Sequence, residues 1–239
     1  MIFKQHFSGS TGNLYTVTNA EGQVLIIDPG VSWGDLLKAL DYDLTNVVGC
    51  LVTHEHQDHC KSVERIIEAG IEVITSYGTV DGIKFKNDLN SGQVRLTQDK
   101  ADLLMMGFDV HAFKTYHNTA EPLGFIVTCD NEDLLFAIDT SNITQRFGHK
   151  FAIIAIEVSY DKAILQDMVD RQAINEELAK RLLTSHMEKD NAKRYLSEFC
   201  NMSRCRELHL LHLSGDNIDR EKTREEFEDE FMMPTFIKD

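Results

Sequence analysis

The run VVGCLVTHEHQDHC, residues 47–60, joins an apolar, strand-like stretch to three histidines and two acidic residues within positions 54–59. Titratable groups crowded in this way are costly to hold together unless a cation lies among them. His54 and His56 stand two apart, so in extended backbone their side chains leave the same face. Asp58 and His59 follow at a turn into a helical pattern, where the chain folds back and its side chains converge on a second point. That arrangement suits two cations roughly 3.5–4 Å apart. Imidazole nitrogens and carboxylate oxygens suit zinc, manganese or iron better than magnesium or calcium. Any fold open to this chain must end a buried strand at this loop.

Short apolar runs bounded by turns predict strands at 2–7, 13–18, 23–28, 48–53, 71–75, 109–115, 122–128, 133–138, 151–156 and 207–212. Helical patterns cover 34–42, 59–70, 161–183, 188–199 and 219–231, the second closing at Gly70 as helices often do. Many early strands followed by a helix-rich second half predict a mixed α/β layered domain. No repeat or low-complexity tract interrupts the chain, and three prolines in 239 residues argue against disordered spacers. One domain spanning 1–239 is expected, with an acidic helical segment at 216–239. Residues 76–95 form a candidate lid or substrate loop, in which Lys84, Lys86 and Arg95 are candidate phosphate contacts. The 161–183 helix offers either a pocket wall or a homodimer face.

Hydrophobic content of 42% and charged content of 26% are ordinary for a soluble globular protein. No apolar run approaches the roughly 18–20 residues of a membrane span, and the N-terminus lacks a signal-peptide pattern. Five cysteines without a CxxC pair fit reduced thiols, so a cytoplasmic protein is expected. The net charge of −15 argues against a general nucleic-acid-binding module, which relies on a basic footprint. Part of the excess is local, since residues 216–239 carry nine acidic groups against four basic.

A dinuclear site needs further donors, and three lie at strand ends. His117 follows VHAFKTY, Asp139 closes LLFAID, and His212 closes ELHLLH. A strand-end histidine standing alone is ordinarily a surface or core residue; three such donors in a chain that holds HxHxDH are more persuasive together. This order of motifs resembles the metallo-β-lactamase fold over nearly the whole chain. The resemblance implies a four-layer αββα sandwich and a ligand assignment: His54, His56 and His117 to one metal, Asp58, His59 and His212 to the other, with Asp139 bridging. SGSTGN (8–13) and LIIDPG (25–30) are similar to the family's opening hairpin, which implies that Asp28 holds a ligand imidazole in its working tautomer. Aspartate at the bridging position, where some lactamases have cysteine, favours phosphodiester chemistry by a metal-activated hydroxide.

Fold alone decides little about function. AIEVSYD (155–161), LLTSHMEKDNAKRYL (182–196) and LHLLHLSGDN (208–217) follow the order seen in ribonuclease Z-like phosphodiesterases. SGSTGN, EPLGF (121–125) and HLSGDN resemble more closely a bacterial and phage branch of double-stranded-DNA 5′-to-3′ exonucleases. By that resemblance His186 is a proton donor or phosphate contact and Glu157 orients it. The branch's usual G-H-L-S-N is here Ser185-His186-Met187-Glu188 with Asn191 further on, which keeps the histidine and changes its neighbours. A phage-encoded member would act in the host cytoplasm. Three functions compete: a DNA exonuclease, a phosphodiesterase for cyclic nucleotides, which suits the acidic balance, and a non-catalytic protein that keeps its metals structurally.

Overall fold

The computed structural model describes residues 1–83 and 93–238, which divide into two compact units. The first comprises Met1–Lys114 and Thr119–Asn131, the second Thr115–Asn118 and Glu132–Asp239.

The first unit carries β1 (Ile2–Phe7), β2 (Leu14–Thr18), β3 (Val24–Ile27), α1 (Trp33–Ala39), β4 (Val47–Leu51), α2 (Gln57–Cys60) and α3 (Val63–Glu68), followed by β5 (Val73–Ser76), α4 (Tyr77–Gly82), β6 (Val94–Thr97), β7 (Asp102–Met105), β8 (Phe108–Lys114) and β9 (Leu123–Cys129). Strands β1 to β6 form a sheet in sequence order. The β1–β2–β3 pairs are antiparallel, and β3 to β6 pair in parallel. Strands β3 and β4 are VLII and VVGCL, continuous apolar runs of the kind a parallel sheet covered on both faces requires. On one face Leu36 of α1 and Val63, Ile66 and Ile67 of α3 pack with Leu14, Ile26, Cys50 and Val73 into one buried cluster. Strands β7, β8 and β9 form an antiparallel ladder.

The second unit carries β10 (Glu132–Ala137), β11 (Ile153–Glu157), α5 (Lys162–Asp170), α6 (Glu176–Ser185), α7 (Lys189–Phe199), β12 (Glu207–Leu211), α8 (Arg220–Phe231) and β13 (Thr235–Phe236). Its four strands pair in parallel, β10–β11–β12–β13, and β11 is buried along its whole length. Leu165 of α5 packs with Ala179 and Leu182 of α6 around Tyr160.

All ten predicted strands are present within a residue or two. The strands β6, β7 and β13 went unpredicted because each is only two to four residues long, too short for a pattern to stand out. Two predicted helices are each broken in two. The 59–70 pattern is interrupted at Ser62, whose N–H donates to the Pro29 carbonyl (2.8 Å) and whose hydroxyl donates to the Val31 carbonyl (2.6 Å). The 161–183 pattern breaks where Gln172 enters the left-handed region (φ 57°) and Asn175 caps α6 by accepting from the Leu178 N–H at 2.7 Å. The candidate lid at 76–95 opens as helix α4 and closes in β6. Lys84 and Lys86 lie outside the described residues, whereas Arg95 pairs with Glu72 at 2.8 Å and so ties β6 to the start of β5.

Candidate metal centre

Each unit brings its polar residues to the carboxyl ends of its parallel strands, the edge where open α/β sheets place their ligands. In the first unit Asp28 follows β3, and Thr53 and His54 follow β4. In the second, Asp139 follows β10, Glu157 ends β11 and His212 follows β12, with Glu157 in register opposite Leu211. Asp28, Asp139 and His212 all adopt positive φ (53°, 45° and 55°). Non-glycine residues rarely occupy that region, and where they do at functional sites the surrounding structure holds them there.

In the first unit His54 Nε2 and His56 Nδ1 lie 3.1 Å apart. Tetrahedral zinc with bonds of 2.0–2.1 Å sets ligand nitrogens about 3.3 Å apart, so the pair fits one edge of such a site. Asp58 Oδ2 and His59 Nε2 form a second pair at 3.7 Å. Fully buried Asp28 accepts from His59 Nδ1 at 2.8 Å, as the second-sphere carboxylate expected from LIIDPG. A carboxylate can only accept here, so His59 carries its proton on Nδ1 and turns Nε2 toward Asp58.

Asn13 shows what the SGSTGN hairpin does. Its N–H donates to the Asp58 carbonyl at 2.8 Å, and its amide group donates to the Gly9 and Asp58 carbonyls, both at 3.1 Å. The amide nitrogen also lies 3.1 Å from His59 Nε2, so its two protons are shared among three acceptors. Gly30 makes this approach possible, because a Cβ there would sit 1.7 Å from the Asp58 oxygen. Glu55 points elsewhere and accepts from the Ala120 N–H at 2.9 Å.

In the second unit the Asp139 carboxylate faces two histidines, one with each oxygen. Oδ2 lies 3.4 Å from His117 Nε2, and Oδ1 lies 3.7 Å from His212 Nδ1. The His117 ring is set from behind, since its Nδ1 is 2.8 Å from the Ser185 carbonyl and must therefore donate. Burial lowers the His117 pKa, and Asp139 only partly opposes this, which favours the neutral imidazole a metal requires. His186 Nδ1 donates to Glu157 Oε1 at 2.6 Å, while Glu157 Oε2 accepts from the Thr140 N–H at 2.5 Å. Burial works against charge on both partners. Even so, the Glu157 carboxylate holds His186 above its ordinary pKa, and His186 and His212 hold Glu157 below its own. The rings of His186 and His212 stack with centroids 5.2 Å apart and planes 4° from parallel. Asp139, Glu157, His186 and His212 each offer a ligand atom, all within 4.8 Å of one another. The donor sets of both units suit divalent metal ions.

All nine predicted site residues therefore stand in one or other of two donor groups, His54, His56, Asp58 and His59 in the first unit and the remaining five in the second. Sequence reasoning missed Thr53, the role of Asn13, the Thr140 N–H and the Ser185 carbonyl. Thr53 and Asn13 lay inside quoted motifs; the two backbone groups have no sequence signal.

Strands that end in buried donors around a mixed α/β frame define a metallohydrolase of the metallo-β-lactamase fold. Residues 9–161 match the metallo-beta-lactamase superfamily, and the chain belongs to that family as one of its hydrolases. It is 25% identical over 227 residues to exodeoxyribonuclease YycJ of Bacillus anthracis, a match covering 91% of this chain and 84% of that protein. Among solved structures, the metallo-beta-lactamase fold protein YhfI from Bacillus subtilis superimposes with a TM-score of 0.73 at 16% identity, over 99% of this chain and 95% of that one. The short form of human tRNase Z superimposes with a TM-score of 0.63 at 14% identity, over 100% and 96%. These two likenesses concern the fold.

Proposed function

We propose that the chain is a dinuclear phosphodiesterase that removes nucleotides from DNA as an exonuclease, with zinc or manganese as its metal. In this reading His54, His56 and His117 hold one ion, Asp58, His59 and His212 hold the other, and Asp139 serves both. The observation that carries it is Asp139, whose two oxygens address two different histidines. When bound, a pair of divalent ions polarises a phosphate oxygen and acidifies a water. The chain's own residues do the rest. Asp58 accepts a proton from the attacking water. His186, held through Nδ1 by Glu157, delivers a proton from Nε2 to the leaving oxygen. The similarity to an exodeoxyribonuclease over most of the chain supports DNA as substrate, and five cysteines without a CxxC pair support a cytoplasmic setting.

A cyclic nucleotide is the second reading, favoured by the net charge of −15, which repels a polyanion more than a small ligand. The test is turnover by protein loaded with zinc and, separately, with manganese. End-labelled double-stranded DNA is offered in one assay, and 2′,3′- and 3′,5′-cyclic nucleotides in another. Progressive loss of DNA, abolished by Asp58→Ala, supports the exonuclease. Hydrolysis of a cyclic nucleotide beside intact DNA replaces it with the second reading.

A further inference from the structure

Thr53 immediately precedes the HxHxDH run and is fully buried, as are Asp28, His54 and His59. Its hydroxyl lies 3.0 and 2.8 Å from the two Asp28 oxygens and 2.9 Å from His54 Nδ1. A hydroxyl has one proton and two lone pairs. Beside a carboxylate that already accepts from the Thr53 N–H (2.8 Å) and from His59 Nδ1 (2.8 Å), that proton goes to Asp28. The oxygen then faces His54 Nδ1 with a lone pair, and the ring must carry its proton there. Nε2, the atom 3.1 Å from His56, is left as the donor.

We propose that Thr53 is a positioning residue that relays the Asp28 carboxylate to His54, so that one buried acid sets the ring tautomer of a ligand of each metal: His59 directly, His54 through the hydroxyl. The assignment of these two histidines to different ions rests on the dinuclear reading above. The relay itself rests only on the four buried groups. Its consequence is coupling, because a change at Asp28 reaches both halves of the ligand set, whereas a change at Thr53 reaches one.

The test compares wild type with Thr53→Val, which keeps the shape and removes the hydroxyl, and with Thr53→Ser, which keeps the hydroxyl. Thr53→Ala is the substitute should valine disturb packing. Long-range proton–nitrogen correlation spectra of the metal-free protein read the tautomers of His54 and His59. Competition with a chelator then reads zinc affinity at each site. Expected are Nδ1–H on both rings in wild type and in Thr53→Ser. In Thr53→Val, His54 alone loses this preference, and one zinc site weakens 10- to 100-fold, the usual effect of removing an outer-shell partner. Unchanged His54 signals in Thr53→Val, or equal disturbance of His54 and His59, overturn the relay. Wild-type protein that takes up no zinc removes the metal reading, while the metal-free tautomers still decide the relay.

Discussion

His186 and Glu157 are paired with each other through a partly buried ring and a buried carboxylate. The 2.6 Å contact pairs an imidazole with a carboxylate that is itself fixed by a backbone N–H. A proton donor needs that arrangement, since its ring must stay in place while its charge changes. Replacing His186 by Gln is expected to lower kcat by 10²-fold or more and to leave bound metal at the wild-type level. Glu157→Gln should fall between, because the ring remains but its orienting charge is gone. Metal content by elemental analysis beside kcat checks this, and loss of metal in His186→Gln would make it a ligand instead.

At the scale of elements, partly buried ammonium groups tie α7 to the cap of α5 and to α8, Lys193 reaching Glu226 at 3.3 Å and Glu230 at 3.0 Å. Lys189, at the start of α7, lies 2.7 Å from Asp161, which caps α5, and 2.9 Å from Glu226 of α8. Burial opposes all three charges, and the pairing outweighs it, so Asp161 and Glu226 sit below their ordinary pKa values and Lys189 above its own. Groups with lowered pKa contribute stability that is present above their unfolded values, near pH 4, and lost as pH falls through the folded ones. The raised Lys189 contributes below about pH 10.4 and loses that contribution as pH rises through its folded value. Lys189→Met should therefore destabilise by about 1 kcal/mol at neutral pH, the upper end for solvent-screened pairs. It should also flatten the acid arm of the stability curve, as denaturant unfolding from pH 3 to 8 will show. An undiminished acid arm would place the linkage elsewhere.

For the whole molecule, the proposed metal ions make chelation the stability test to carry out. An ion at a hundred times its Kd adds about 2.7 kcal/mol to the folded state. Two such ions imply a fall in Tm of roughly 10 °C or more on exhaustive chelation, restored by zinc or manganese and followed by calorimetry. An unchanged Tm would mean that metal is bound weakly or not at all. Much of this was readable in the chain. HxHxDH after an apolar run, with His117, Asp139 and His212 each closing another, carries donor chemistry and periodicity that belong to single short segments. Those local signals determined the ten strands, the mixed α/β class and which residues are proposed as donors. Only the tertiary structure decided what segments distant in sequence do to one another. It broke the 59–70 helix at Ser62 by offering the Pro29 and Val31 carbonyls as better partners, and it pinned the Asp58 backbone with Asn13. It also set Thr53 between Asp28 and His54. A hydrogen bond between residues 25 positions apart depends on strand register and burial, which no local pattern records.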